Sequence, residues 1–264
     1  MSDHSKFAAD RLPPKDGFIV DLDGTLIAGG AALPHARALF EHLTNRFVIV
    51  SNDAEHVPAQ VAAMLGSLGL PVRPDRIVLA GVYTLDLIAA ERPQAKVLLC
   101  ASSALEDYAA HLGLRLVAEA PDVVVIGRDR RFSYAKLAAA ANAVHAGAEL
   151  VAANADRLHP GPRGTVVPET GALLAAVQHC VGPRPCRVIG KPEPALFAAA
   201  LRILGVPAGR AAVIGDNPET DGVGAGRLGM HFVDIRNWAA AEAEDAARLS
   251  CAAHDGAAML EVLQ

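Results

Sequence analysis

Short, nearly unbroken apolar runs recur along the chain, and several stop abruptly at Gly, Asp, Asn or Ser. Phe18-Ile-Val reaches Asp21-Leu-Asp-Gly-Thr25, and Phe47-Val-Ile-Val50 reaches Ser51-Asn-Asp53. Val188-Ile189 reaches Gly190-Lys-Pro192, and Ala211-Ala-Val-Ile214 reaches Gly215-Asp-Asn217. Runs of four or five residues this rich in β-branched side chains predict strands buried on both faces, as in a parallel sheet. Between them, residues 36–44, 57–68 and 194–204 carry helical patterns. Alternating strand and helix predicts a doubly wound, Rossmann-like α/β core. Such sheets take their ligands beyond the carboxyl ends of the strands, and all four polar clusters are expected at that edge.

The middle of the chain behaves differently. Residues 95–100, 122–126 and 149–153 are further strand candidates, separated by helical patterns at 104–112, 134–146 and 171–180. None of these strands ends in an acidic cluster. The pattern predicts a core of residues 1–80 plus 187–264, interrupted by a compact α/β insertion over 81–186. The turn-rich Val181-Gly-Pro-Arg-Pro185 is the expected return hinge.

Composition narrows the classes. Hydrophobic residues make up 52% and aromatic ones only 4%, which suits close-packed helices on a sheet. Lys and Arg total 24 against 29 acidic residues, with no basic stripe, so no nucleic-acid partner is expected. The first 16 residues lack the basic-then-apolar plan of a secretory leader. No apolar stretch approaches a membrane span, so no membrane partner is expected and the expected location is cytoplasmic. Cys100, Cys180, Cys186 and Cys251 form no CxxC pair. A Cys180–Cys186 pairing was weighed against free thiols in a reducing compartment, and free thiols are the expectation. The ten histidines are dispersed without an HxxxH pair, which argues against zinc.

The candidate chemistry lies in the polar clusters. Asp21 and Asp23 both face one ligand if the chain turns at Gly24. A carboxylate attacking a phosphate dianion meets severe repulsion, so a divalent cation is required, and Mg2+ suits one or two carboxylates plus a substrate phosphate. Asp21 is the expected nucleophile, and Asp23 the expected acid and then base. Asp21, Asp23 and Asp216 are the expected metal site, with Asn217 supporting it from behind and Asp221 either facing back toward the metal or supporting Lys191. Gly24, Thr25, Ser51, Asn52 and Lys191 are the expected phosphate contacts, with Lys191 neutralising charge. Taken one at a time, each is a turn or cap residue; Asp216 or Thr220, for instance, suits a helix cap. Gly224-Ala-Gly226-Arg-Leu-Gly229 matches a dinucleotide fingerprint in letters only, since it follows an acidic loop rather than a strand.

In this order, Asp21-Leu-Asp-Gly-Thr25, Ser51-Asn52, Lys191 and Gly215-Asp216 with Asp221 resemble the haloacid dehalogenase (HAD) superfamily of phosphatases. Only 30 residues separate Asp21 from Ser51, whereas 140 separate Ser51 from Lys191. That places the insertion at the second cap position of the family. Within it, Ala153-Asn-Ala-Asp156, Pro160, Gly164 and Pro168-Glu-Thr-Gly171 resemble the cap pattern of class IIA, the nitrophenyl phosphatase, nucleotidase and pyridoxal phosphatase group. The resemblance spans residues 18–235. It implies a magnesium-dependent phosphomonoesterase acting on a small phosphorylated metabolite through an aspartyl-phosphate, with a cap that selects the leaving group and possible pairing of subunits through the cap. A silent phosphometabolite-binding protein and a phosphotransferase or mutase are the alternatives. Two departures concern the substrate: Asp53 stands where a second Asn is usual, and Glu169 where Gly is usual. Asn154 and Asp156 are expected either at the substrate or in a structural role at the hinge.

Overall fold

The computed structural model describes residues 12–160 and 164–237. The chain begins with β1 (Gly17–Val20), a hairpin of β2 (Ile27–Ala28) and β3 (Ala31–Ala32), and α1 (Ala36–Leu43). β4 (Phe47–Ser51), α2 (Pro58–Ser67), β5 (Ile77–Leu79) and α3 (Ala80–Glu91) follow. Next come β6 (Lys96–Cys100), α4 (Ser103–His111), β7 (Arg115–Leu116), β8 (Val123–Ile126), α5 (Tyr134–His145) and β9 (Glu149–Ala152). A second hairpin, β10 (Leu158–Pro160) and β11 (Val166–Pro168), leads to α6 (Thr170–Val181) and β12 (Cys186–Val188). The described chain closes with α7 (Pro194–Leu204), β13 (Ala211–Gly215), α8 (Val223–Arg227) and β14 (His231–Asp234).

Two five-stranded parallel sheets organise these elements. The first has the order β14-β13-β1-β4-β5, with β1 at its centre. Every residue of β1, β4 and β13 is buried, as their unbroken apolar runs require for strands covered on both faces. The second has the order β12-β9-β8-β6-β7, also parallel throughout. Local chemistry sets the helix starts. Pro58 and Pro194 sit in the first turns of α2 and α7, where the missing N–H costs nothing. Ser102 and Ser133 cap α4 and α5 by accepting from the N–H groups of Leu105 and Lys136.

One expectation fails here. The strand preceding Lys191 is not a core strand: β12 pairs with β9 in the second sheet, Cys186 opposite Leu150 and Val188 opposite Ala152. The second sheet therefore runs to Val188, past the expected end of the insertion at 186. The physical reason is a free edge. β9 has β8 on one side only, and β12 completes its hydrogen bonding on the other. Lys191 thus approaches the first sheet from outside.

The hydrophobic core is correspondingly shared. One buried cluster runs from β1, β4 and β13 through α1 and α7 to Leu85 and Ile88 of α3, then on to Val97, Val123, Val125 and Val151 on one face of the second sheet. Cys100, Val124, Ile126, Leu150 and Ala152 turn to the other face, under α5 and α6. This alternation along β8 and β9 is the two-residue period of a strand. Fully burying a side chain such as Phe197 or Leu196 contributes about 1.5–3 kcal/mol. Among the described residues, no helix is long and apolar enough to cross a membrane. Cys100, Cys180 and Cys186 are free thiols, and Cys251 lies outside the described residues.

Candidate active site

Asp21 leaves β1 at the carboxyl edge of the first sheet, its backbone N–H still bound to Ile214 O at 2.9 Å. The chain then folds tightly. Gly24 N–H bonds Ile27 O and Leu26 N–H bonds Leu22 O, both at 2.8 Å. Gly24 adopts φ +80°, and a Cβ there would lie 2.2 Å from Asp216 Oδ2. Only glycine admits both the left-handed turn and this approach. From the neighbouring β13, Asp216 stands at the strand end, and the helical turn Pro218–Gly222 brings Asp221 back beneath it. Asn217 caps that turn by accepting from Glu219 N–H at 2.9 Å. The cap therefore falls to Asn217 rather than to Asp216 or Thr220, leaving the Asp216 carboxylate free to face the site.

The carboxylates of Asp21, Asp216 and Asp221 each offer an oxygen within 4.8 Å of the others. Lys191 Nζ lies between two of them, donating to Asp21 Oδ1 at 2.5 Å and to Asp221 Oδ1 at 2.8 Å. The second oxygen of Asp21 accepts from Thr25 Oγ1 at 3.2 Å. Ser51 is buried, and its Oγ accepts from Asp53 N–H at 3.0 Å, so its own proton remains available to an outside acceptor. Asn52 turns away from the site, and its amide meets the backbone of Lys191 on both sides. Among the described residues the acid cluster includes Asp221, in one of its two expected places, and, unlike the expected set, not the Asp23 side chain. The helical turn returns Asp221 to the strand end, whereas the Asp23 side chain stays solvent-accessible beside the cluster.

Lys191 and Asp221 are almost wholly buried, and Asp21 nearly so. Burial alone would lower the Lys191 pKa, but the Asp21 and Asp221 carboxylates outweigh it and raise it, so the ammonium is held charged. Burial and then the Asp21 charge raise Asp216. Asp221 is raised chiefly by burial, against the opposing pull of Lys191. Asp23 is raised to about 6 by crowding from protein and then by the charges of Asp21 and Asp53, with Lys191 and His159 opposing. Solvent reaches Asp23, which weakens the burial contribution. The two like charges act in the same direction, so the upward shift stands.

Three carboxylates gather here but the ammonium pairs with only two of them, and the buried Asp221 Oδ2 has no hydrogen-bond partner. An all-oxygen, acid-rich donor set of this kind fits a hard divalent cation such as Mg2+, with Asp21, Asp216 and Asp221 as the carboxylates at hand.

Sequence reasoning underrated the surroundings of Asp53. Its carboxylate accepts from the N–H groups of Glu55 and His56, both at 2.8 Å, and pairs with His56 Nδ1 at 2.7 Å. The Asp53 charge is thus largely engaged. His159, on β10, was not singled out either; it pairs with Glu169 Oε1 at 2.5 Å, and its charge acts on Asp23. No local pattern marks His159, because the hairpin that carries it is short and half exposed.

Fold and site together define a phosphate-handling hydrolase of Rossmann-like α/β fold, with acids on one parallel sheet and a lysine delivered by a second. Comparison with known proteins agrees. A haloacid dehalogenase-like hydrolase family matches residues 18–115, and a HAD-hydrolase-like family matches residues 188–259. An acid sugar phosphatase of Staphylococcus epidermidis is 31% identical over 223 residues, covering 83% of this chain and 85% of that protein. The p-nitrophenyl phosphatase from Archaeoglobus fulgidus superposes with a TM-score of 0.78 at 30% identity, over 84% of this chain and 86% of its own. A glycerol phosphate phosphatase from Mycobacterium tuberculosis, solved in complex with magnesium, superposes with a TM-score of 0.77 at 34% identity, over 83% of this chain and 68% of its own. The chain belongs to the haloacid dehalogenase-like hydrolases, as a class IIA phosphatase with a cap inserted in its core.

Proposed function

We propose that the protein is a magnesium-dependent phosphomonoesterase that removes phosphate from a small metabolite through an aspartyl-phosphate on Asp21. The observation that carries this reading is the convergence of the Asp21, Asp216 and Asp221 carboxylates, with Lys191 paired to Asp21 and Asp221. Phosphatase relatives, among them one solved with magnesium, support it.

In this mechanism an oxygen of Asp21 attacks phosphorus and the ester P–O bond breaks. Asp23 gives its proton to the departing oxygen; its raised pKa keeps a protonated fraction near neutral pH. The resulting Asp23 carboxylate then takes a proton from a water that attacks the phosphoryl group, releasing inorganic phosphate and restoring Asp21. Lys191 neutralises the nucleophile as charge gathers, and Thr25 fixes the rotation of its carboxylate. Ser51 donates its free proton to a phosphoryl oxygen. A divalent cation held by Asp21, Asp216 and Asp221 offsets the repulsion between carboxylate and phosphate. The cap spans 81–186 in this reading, extended to the end of β12 at Val188. Its hairpin bearing His159 faces the leaving group, cap pairing between two copies is possible, and the site of action is cytoplasmic.

The test is release of nitrophenol from p-nitrophenyl phosphate by the purified protein. Turnover is expected with Mg2+ and not after chelation, and Asp21→Asn is expected to abolish it. Undiminished turnover in Asp21→Asn refutes the mechanism. Tight phosphometabolite binding without turnover in the wild type selects the silent binding protein instead.

A further inference from the structure

Lys191 is fixed at both ends. Its ammonium is held by Asp21 and Asp221, while its backbone is held by one side chain, Asn52. Asn52 Oδ1 accepts from Lys191 N–H at 2.7 Å, and Asn52 Nδ2 donates to Lys191 C=O at 3.1 Å. The same Nδ2 has a second hydrogen, and it goes to Asp156 Oδ2 at 3.0 Å. The approach is close enough to need Gly190 beside it, since a Cβ there would lie 2.5 Å from Asn52 Oδ1. Asp156 comes from the cap, beyond β9, and its own N–H is held by Asn154 Oδ1 at 3.0 Å. Asn154 closes the circuit by donating to Asn52 C=O at 2.5 Å.

An amide can point either way, and Asp156 adds the one side-chain contact to the two Lys191 backbone contacts that fix which. Reversing Asn52 would set its oxygen against both the Asp156 carboxylate and the Lys191 carbonyl, and its NH2 against the Lys191 N–H. Three favourable contacts would become three repulsive ones. We propose that Asp156 is a positioning residue: it orients the Asn52 amide, which clamps the Lys191 backbone and so aims the ammonium at Asp21. Asp156 touches neither substrate nor reacting atoms in this role. The inference rests on the phosphatase reading for its kinetic consequence but not for its structural one.

Two measurements on Asp156→Leu and Asp156→Asn test it. Leucine removes the acceptor, whereas asparagine keeps an acceptor oxygen for Asn52 Nδ2. In Asp156→Leu, kcat toward p-nitrophenyl phosphate with Mg2+ is expected to fall about 10–100-fold with KM nearly constant, as for losses of groups that orient a catalytic side chain. Asp156→Asn is expected to keep most of the wild-type kcat. Independently of turnover, NMR hydrogen exchange at the Lys191 amide should be at least about tenfold faster in Asp156→Leu than in wild type and near normal in Asp156→Asn. Unchanged kcat and exchange in Asp156→Leu overturn the proposal. So does a rise in KM at constant kcat, which would make Asp156 a substrate contact. If Asp156→Leu fails to fold, Asn52→Asp takes its place. It sets two carboxylates face to face, and adding Asp156→Asn should recover protection of the Lys191 amide, because an amide then faces a carboxylate again. No recovery refutes the idea. A wild type inactive on phosphate esters counts against the phosphatase reading alone, because the exchange result still decides the role of Asp156.

Discussion

Lys191→Met isolates the central charge balance of the site. Methionine keeps the length and burial of the side chain but removes the cation that pairs with Asp21 at 2.5 Å and with Asp221 at 2.8 Å. Both acids are buried, so each is left as an uncompensated charge away from water. Removing one partner of a buried pair costs about 3–5 kcal/mol. For a chain of this size each kcal/mol lowers Tm by about 2–4 °C, so a fall of roughly 6–20 °C is expected in metal-free buffer. Asp221 is raised by burial above the unfolded carboxylate range and in the variant loses the opposing pull of Lys191, so the folded state binds more protons than the unfolded state between the two values. Stability then falls as pH rises through that window, and the deficit of the variant should shrink as pH is lowered from 7 toward 4. Lys191→Met combined with Asp221→Asn should recover part of the loss, because one buried charge has been removed. Scanning calorimetry at several pH values measures each quantity. Wild-type stability in Lys191→Met at pH 7 without metal refutes the reasoning, as does a deficit indifferent to pH.

Other consequences are equally direct. Asp23→Asn should slow turnover of p-nitrophenyl phosphate by about 10²–10⁴-fold through loss of proton transfer, while its Tm stays close to wild type because Asp23 faces solvent. Gly24→Ala puts a methyl 2.2 Å from Asp216 Oδ2 at φ +80°, so it should cost about 1–3 kcal/mol in stability and also weaken Mg2+ activation, read as a higher metal concentration at half-maximal rate. The His56–Asp53 pair gives a pH signature. The hydrogen bond that His56 donates to Asp53 raises His56, whereas Asp53 itself, although burial works the other way, is lowered by His56. The His56 contribution is complete below the unfolded pKa, near 6.5, and disappears as pH rises through the raised value; that of Asp53 is complete above about 3.9 and disappears in stronger acid. Thermal melts of His56→Gln should therefore differ most from wild type between about pH 4 and 6.5 and converge at higher pH. The effect is modest because His56 is half exposed.

Which parts of this architecture the sequence exposes follows from what is locally written. Asp21, Ser51 and Asp216 each end a wholly apolar run, and the strand predicted before each exists, because burial on both faces leaves an unmistakable composition. β5 escaped notice: Ile77-Val-Leu79 passes directly into α3 with no polar break to mark its end. β12 was seen as a strand end, yet nothing in Cys186-Arg-Val188 says which sheet edge will accept it. Membership of a sheet is decided by what lies free across the fold. Asp221 joined the acid cluster because the turn at Pro218–Gly222 wound it back, a local geometry that spacing alone does not distinguish from a supporting position. The amide circuit of Asn52, Asn154 and Asp156 joins residues about a hundred positions apart, so only the assembled fold displays it.

The loop after Ser51 carries one more consequence. Four successive carbonyls, those of Asn52, Asp53, Ala54 and Glu55, are each taken by a donor from a different segment: Asn154 Nδ2, Gly81 N–H, Arg128 N–H and Ser102 Oγ. Separating the two sheets at this seam would strand three of these acceptors simultaneously, those of Asn52, Ala54 and Glu55, a cost above that of shifting any one contact. The seam therefore acts as a fulcrum. Any displacement of the inserted half relative to the first sheet costs least when it leaves these three bonds in place.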